Sequence, residues 1–494
     1  MKNIRRLSVI ALLLTLAACS ESPAVEPISA PKPVMSIVAP PTRTPLPTHD
    51  PAQTPTPDAT RAADTHTTEL YIVQSGDTIA SIAEEYNTTI DEIAKTNGLD
   101  NVAMISIGEP LNVPLKTDRV GPNNKLIPDS ELVNGPSALE FDVAAFVAKT
   151  SGYLKDFTEQ VDGETLTGAQ IVARVAQQFS VNPRLLLALL EYRGTWLSNA
   201  YPTADQQAYP VGFRHAGYQS LYLQLSYAAN HLNDGYYGWK YRAQMTVRFA
   251  DGTRARVAQG LNPGTVGIQT MLALDRLYDD WLNEIGPHGF SATYQKLFGD
   301  PFNFTAEIVP AHLTQPTLTL PWAVGEKWWY TGGPHGAWVA GSGWAAVDFI
   351  PDGPILGCQP AEQWELAVAP GRIVRSENGE VIEDLDGDND ERTGWSIFYM
   401  HVGSEGRVAV GTQVNTGDHI GHPSCEGGLS TATHLHIARK YNGEWIPAAG
   451  PIPFVMDGWR VTGEATEYDG GLMKGNQVKV ACECREDVKN GIVR

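Results

Sequence analysis

The sequence predicts a multidomain α+β chain: a small β-α-α-β module, an α-helical middle domain, and a mainly antiparallel β domain toward the C-terminus. Three observations predict it. At 494 residues the chain is too long for one core, and at about 150 residues per domain it suggests roughly three. Between residues 136 and 312, apolar residues recur at three- and four-residue intervals. From residue 313 onward, short β-branched and aromatic runs alternate with Gly, Asn, Asp and Pro turns.

The chain begins MKNIRRLSVIALLLTLAACS, in which Lys2, Arg5 and Arg6 precede an apolar run from Leu7 to Ala18. That run is too short for a membrane span and reads as an export signal over residues 1–19. Leu16-Ala17-Ala18-Cys19 resembles the bacterial lipoprotein processing box, whose cysteine is lipidated and begins the mature chain. The resemblance implies a lipid anchor on Cys19 and an extracytoplasmic protein tethered to the bacterial membrane; an ordinary signal peptide with a chance cysteine is the alternative. Residues 20–68 hold 11 prolines and 9 threonines with almost no aromatic residues, the composition of an extended linker. With 36 basic against 56 acidic residues, a net charge of −20 and no basic run, there is no electrostatic footprint for nucleic acid.

Residues 69–115 carry ELYIVQSGDTIASIAEEYNTTIDEIAKTNGLDNVAMISIGEPLNVP. Leu70 and Ile72 read as a strand, Ser75-Gly76-Asp77 as a turn, and Thr78 as the cap of a helix with Ile79, Ile82, Ala83 and Tyr86 along one side. Thr89 and Glu92 have capping-box spacing for a second helix, Asn97-Gly98 ends it, and Glu109 to Val113 returns as a strand. YIVQSGDTIASIA, TNGL and IGEPLNVP, in that order, resemble the LysM module. The resemblance implies binding to N-acetylglucosamine-containing glycans near Gly76, Asp77 and Thr78, residues that equally serve as a plain turn and cap.

A polar linker over 116–135 leads into the helical domain, 136–312. GAQIVARVAQQFSVNPRLLLALLEYRGTWLS shows the helical period, with Asn182-Pro183 starting a fresh helix. SVNPRLLLALLEYRGTW loosely resembles the helix of lysozyme-like lytic transglycosylases, which would make Glu191 a general acid. Tyr192 stands where that family has serine, and the alternative is that Glu191 pairs with a basic neighbour such as Arg193.

The β domain, 313–465, holds the chemistry. In His434-Leu435-His436 the two imidazoles share one strand face, so one can ligate a cation while the other handles a proton. AAVDFI places Asp348 on a strand with Ala346 and Ile350 on its face, and His401 ends SIFYMH with Tyr399 on its side. His335 precedes Asp348 by a Gly- and Trp-rich insert of 12 residues that contains Trp338 and Trp344. Asp384 to Asp390, DLDGDND, has alternating carboxylates like a calcium loop, but Gly387 is misplaced for an EF-hand and no glutamate sits at the required distance; it reads as an acidic hairpin tip.

His335, Asp348, His401 and His434-x-His436, with LAVAPGRIV, VGTQVNTGDHIGHP and CEGGLSTATHLHIAR, resemble the M23 family of zinc metallopeptidases. These are lysostaphin and β-lytic type enzymes that cut peptidoglycan peptides. Most members place the first histidine and the aspartate closer together; the longer insert here is similar to the β-lytic and staphylolytic branch. The resemblance implies one Zn2+ per catalytic domain, held by His335, Asp348 and His436 with a fourth position open. It assigns His434 as general base and His401 to the oxyanion or the leaving amine, roles that are interchangeable at this level.

Besides Cys19 the chain has Cys358, Cys425, Cys482 and Cys484, which allow three pairings. Cys425, nine residues before His434, is expected to bridge to Cys358 and stiffen the site wall; Cys482 and Cys484 are expected to engage in disulfide chemistry of open pairing. Residues 466–494 read as a C-terminal extension. The expectation is a lipid-anchored zinc endopeptidase acting on peptidoglycan, with the LysM module on the glycan and the β domain on the peptide. The alternatives are a non-catalytic wall-binding scaffold, or a second, glycosidase activity in the helical domain.

Overall fold

The computed structural model describes residue 58 and residues 68–494, apart from residues 75, 103, 243 and 354–356. The export signal and Cys19 lie outside the described residues, as does nearly all of the Pro/Thr-rich linker. Among the described residues, no helix is long and apolar enough to cross a membrane.

The first module is the expected β-α-α-β unit. Strand β1 (Thr68–Ile72) pairs antiparallel with β2 (Pro110–Pro114), and helices α1 (Ile79–Glu85) and α2 (Ile90–Asn97) lie between them in sequence. Both helices open on a reciprocal capping box, Thr78 with Ser81 and Thr89 with Glu92, which satisfies two otherwise orphaned N–H groups at each start. Gly98 closes α2 in the left-handed conformation. Val73, Ile79, Ile82, Tyr86, Ile93, Leu111 and Val113 form the core.

This module is docked on the next. Glu69 of β1 is buried and accepts hydrogen bonds from the backbone N–H of Met245 at 3.0 Å, the Thr246 hydroxyl at 2.8 Å and the Tyr86 hydroxyl at 3.1 Å. Arg254 pairs with both Glu69 and Glu85, and its guanidinium lies over Tyr86. A buried charge needs this density of partners, so the contact has one defined geometry.

The helical domain is built on α3 (Gly168–Phe179), α4 (Pro183–Gly194), α5 (Leu221–Tyr241) and α6 (Pro263–Ala273). Asn182 caps α4, and Pro183 occupies its first turn. Leu185 to Leu190 are fully buried, so α4 is the apolar centre around which the others pack. Helices α5 and α6 approach closely at Gly235, where a Cβ would meet Thr270 Oγ1 at 2.5 Å and Gly267 Cα at 2.9 Å. The domain also contains two short hairpins, Thr158–Val161 with Glu164–Thr167 and Thr246–Arg248 with Arg254–Arg256. The first turns at Asp162-Gly163, both at positive φ, a hairpin signal that a reading tuned to the helical period passes over.

The C-terminal sheet is wholly antiparallel. Its strands are β3 (Lys327–His335), β4 (Ala346–Pro351), β5 (Gly371–Glu377), β6 (Glu380–Asp384), β7 (Trp395–Met400), β8 (Gln413–Val414), β9 (Leu435–Tyr441), β10 (Glu444–Trp445) and β11 (Gly491–Val493). They run in the order β8-β5-β6-β7-β9-β4-β3-β11, with β10 pairing β9. The boundary drawn at 465 falls inside a second, smaller sheet: Trp459–Gly463 pairs with Gly470–Lys474, and the chain ends as an edge strand of the main sheet. These late strands are too short to announce themselves by alternation.

Strand alternation gives the main sheet two faces. Val347, Phe349, Ile397, Tyr399, Leu435 and Ile437 point into a core shared with Leu318, Trp322, Trp328 and Ile492. Ala346, Phe398, Met400 and Ala438 point the other way and belong to the same core as the helices. The boundary at 312 therefore separates two stretches of sequence but not two cores. Glu444 of β10 is fully buried and accepts from the Tyr236 and Tyr241 hydroxyls, at 2.9 and 2.7 Å, and from the Lys240 ammonium at 2.7 Å, all on α5.

Candidate metal centre

Asp348 on β4 and His436 on β9 are direct cross-strand partners, so both side chains rise from the same face of the sheet. His335 closes β3, the strand on the other side of β4. Asp348 has room only because residue 332 is glycine, where a Cβ would lie 2.4 Å from its Oδ2. The three side chains converge: His335 Nε2 is 3.1 Å from His436 Nδ1, and each of these nitrogens is 3.3 Å from Asp348 Oδ1. All three residues are buried.

The outer nitrogens fix the tautomers. His335 Nδ1–H donates to the Gly333 carbonyl at 2.7 Å and His436 Nε2–H to the Ala337 carbonyl at 2.9 Å, since a carbonyl only accepts. The inner nitrogens are then both lone pairs, facing each other beside a carboxylate oxygen that is buried with no hydrogen-bond partner among the described residues. Three electron-rich atoms at such separations repel unless a cation lies among them. The donor set fits zinc, which takes neutral imidazole and carboxylate ligands held by just such outer contacts. Burial works against charge on Asp348; where a proton rather than a metal ion lies between them, His335 and His434 hold its carboxyl well below the usual carboxylate range.

His434 and His401 complete the cluster. His434 Nε2 is 3.8 Å from Asp348 Oδ1, and the rings of His401 and His434 are 4.4 Å apart. Their outer nitrogens are pinned in the same way, His434 Nδ1–H on the Ala432 carbonyl at 2.7 Å and His401 Nδ1–H on the Glu426 carbonyl at 3.0 Å. Both Nε2 atoms are left as proton acceptors. Burial, with His434 and His436 nearby, pushes His401 down to about 3. The expectation that His401 shares a side with Tyr399 needs correction. Tyr399 points into the opposite core, and His401, just past the end of β7, adopts a left-handed φ of 65° that turns its ring to the metal face.

Tyr468 escaped the sequence reading. Its ring stacks on His335 at 4.2 Å with planes 18° apart, and its backbone holds Gly333 and Pro334 from across the hairpin. Partial burial, with Asp348 and Glu467 nearby, pushes its phenol up to about 12, so it remains an O–H donor. It lies 133 residues past the first ligand in TEYDGG, where no spacing marks it.

The insert tryptophans face the helices. Trp338 lies between Phe179 of α3 and Phe398 of β7, with ring centroids 6.3 and 6.2 Å away, and Trp344 lies under the Arg242 guanidinium. Cys358 and Cys425 are bridged, and Thr433, next to His434, hydrogen-bonds to Gly357 and Gln359 beside that bridge. Cys482 pairs with Cys484.

The other predicted site residues are engaged locally. Asp77 accepts from the Tyr71 hydroxyl at 2.6 Å and from the Gln74 N–H at 2.7 Å; Thr78 caps α1, and Gly76 has a φ of 94°. Glu191 does not pair with Arg193, which instead reaches Glu284 at 2.7 Å and Asp275 at 3.3 Å. Both Glu191 oxygens are occupied, by the Leu197 and Ser198 N–H groups at 3.0 and 3.2 Å and by the Ser198 hydroxyl at 2.5 Å.

Two families match this chain: the one described as LasA, N-terminal domain, over residues 125–312, and the LysM domain over residues 71–114. Among curated proteins it is similar to Protease LasA of Pseudomonas aeruginosa, 25% identical over 345 residues that span 65% of this chain and 75% of the relative. Among solved structures it is similar to the deep-sea M23 metalloprotease pseudoalterin, 22% identical with a TM-score of 0.29, over 34% of this chain and 96% of that one. The catalytic domain of the antimicrobial peptidase lysostaphin from Staphylococcus simulans is 27% identical with a TM-score of 0.18, over 25% of this chain and 89% of that one.

Proposed function

We propose that this chain, a metalloendopeptidase of the M23 type that carries a LysM domain, hydrolyses peptide bonds of peptidoglycan with a single zinc ion held by His335, Asp348 and His436. The observation that carries the zinc reading is the unpartnered Asp348 oxygen facing two imidazole lone pairs at 3.3 Å. A zinc ion there supplies Lewis acidity to water and to the scissile carbonyl. His434, with Nδ1–H tied to a carbonyl and Nε2 free, takes the proton from the attacking water. His401, fixed the same way with its ring 4.4 Å from that of His434, takes at Nε2 the proton that His434 has removed from water and passes it to the departing amine. The Tyr468 phenol, at the rim over His335, donates to the oxygen that gains charge.

The LysM domain supplies residence on the glycan, which raises the effective concentration of peptide at the metal centre. Lipidation at Cys19 and a place outside the cytoplasmic membrane complete the reading. Purified full-length chain is expected to release peptide-bearing fragments from peptidoglycan, seen as new amino termini by mass spectrometry. Chelation or His436→Ala is expected to stop this while sedimentation with the polymer persists. Undiminished cleavage by His436→Ala would sink the assignment.

A further inference from the structure

Between β6 and β7 the chain runs through Asp384, Asp386, Asp388 and Asp390, the hairpin tip set aside in the sequence for lack of the EF-hand glycine and glutamate. Three of these carboxylates converge. Asp384, Asp386 and Asp388 each offer an oxygen, all within 4.8 Å of one another. Two ligands of one calcium ion can be no further apart than twice the metal–oxygen distance, about 4.8 Å for a bond of about 2.4 Å. Among the described residues, no lysine or arginine forms an ion pair with any of the three; Arg392 is taken by Asp390. Burial and the neighbouring Asp384 push Asp386 up to about 7, as expected for carboxylates crowded without a counter-ion.

An independent observation lies on the facing strand. Ser396 of β7 is the direct cross-strand partner of Asp384, so its side chain leaves the sheet on the same side, next to Asp384 where the hairpin begins. It is fully buried, and its hydroxyl has no hydrogen-bond partner among the described residues. A buried hydroxyl with no hydrogen bond is costly to leave so. An oxygen-seeking cation would satisfy it together with the three carboxylates. The turn itself allows the close approach: Gly387 and Asn389, the fourth and sixth positions counted from Asp384, both take left-handed φ, at 82° and 72°.

We propose that Asp384, Asp386, Asp388 and Ser396 form a calcium site, distinct from the zinc centre, that orders the hairpin. The ligands are all hard oxygens on a flexible turn, which suits calcium over zinc, and over magnesium with its stricter octahedron. The hairpin's next residues matter to the fold: Glu391 binds the buried Arg375 and Lys440, and Arg392 donates to the Ala138 carbonyl of the helical domain.

The test is equilibrium dialysis of the full-length chain against calcium chloride. Wild type and His436→Ala are each expected to hold one more calcium ion than Asp386→Asn/Asp388→Asn. Ser396→Ala, which keeps every carboxylate, is expected to weaken binding about tenfold, an effect of the size seen when supporting contacts of metal sites are removed. Terbium luminescence sensitised by the adjacent Trp395 is expected to appear in wild type and to be displaced by calcium but not by equal magnesium. Equal calcium in wild type and the double variant would overturn the proposal, as would displacement of terbium by magnesium as readily as by calcium. A calcium affinity in Ser396→Ala equal to that of wild type would remove Ser396 from the site.

Discussion

Asp348 and Glu191 are both carboxylates at sites that the sequence marks for catalysis, and the structure treats them in opposite ways. Glu191 ends a buried helix and has both oxygens filled by the Leu197–Ser198 loop, so it closes that loop against the helix. Asp348 is buried in mid-strand among three histidines, and one oxygen has no donor to accept from among the described residues. Glu191, only partly buried and with both oxygens taken, clamps its loop, whereas Asp348, buried with an oxygen held open toward two imidazole nitrogens, is placed to take a ligand.

Exchanging the two residues' fates would break this contrast most directly. Asp348→Ala is expected to abolish both zinc content and peptide release, whereas Glu191→Ala is expected to leave kcat intact and lower Tm, losing about 1–3 kcal/mol of stability with the charge-assisted bonds. Zinc analysis, fragment release and thermal melting on the same two proteins check it. Loss of hydrolysis in a folded, zinc-loaded Glu191→Ala would reverse the assignment.

His434→Ala sharpens it next. Because His434 is read as a proton carrier and not a ligand, activity is expected to fall about 10²–10⁴-fold while zinc stays bound. Zinc lost in step with activity would move His434 into the ligand set. The smallest effect is expected at Gly332→Ala, whose new methyl would meet Asp348 Oδ2 at 2.4 Å and push the carboxylate out of line. Displacing a ligand's support in this way lowers metal affinity about 10–100-fold, readable by zinc competition with a colorimetric chelator.

Local signals in the sequence were strong where one element determines the outcome. The i, i+2 spacing of His434 and His436, the Thr89–Glu92 capping box and the Asn182-Pro183 start all follow from strand and helix geometry alone. What was not legible depends on chain returns. Tyr468 reaches His335 only because a hairpin past residue 459 folds back over β3. His401 changes face through one left-handed residue, which period-two alternation does not anticipate. The joining of the helices and one sheet face into a single core is invisible because Phe398, Met400 and Ala438 read in sequence as ordinary inward-facing strand residues.

The buried Glu69 contact has a consequence in metric terms. Because β1 is clamped to the Thr246–Arg256 hairpin, whose domain shares a core with the sheet that carries Asp348 and His436, the LysM domain and the histidine–aspartate cluster belong to one frame. Such a frame acts as a ruler. Where the module grips a glycan strand determines which peptide along that strand falls under Asp348, and the released fragments would carry that offset as a preferred length.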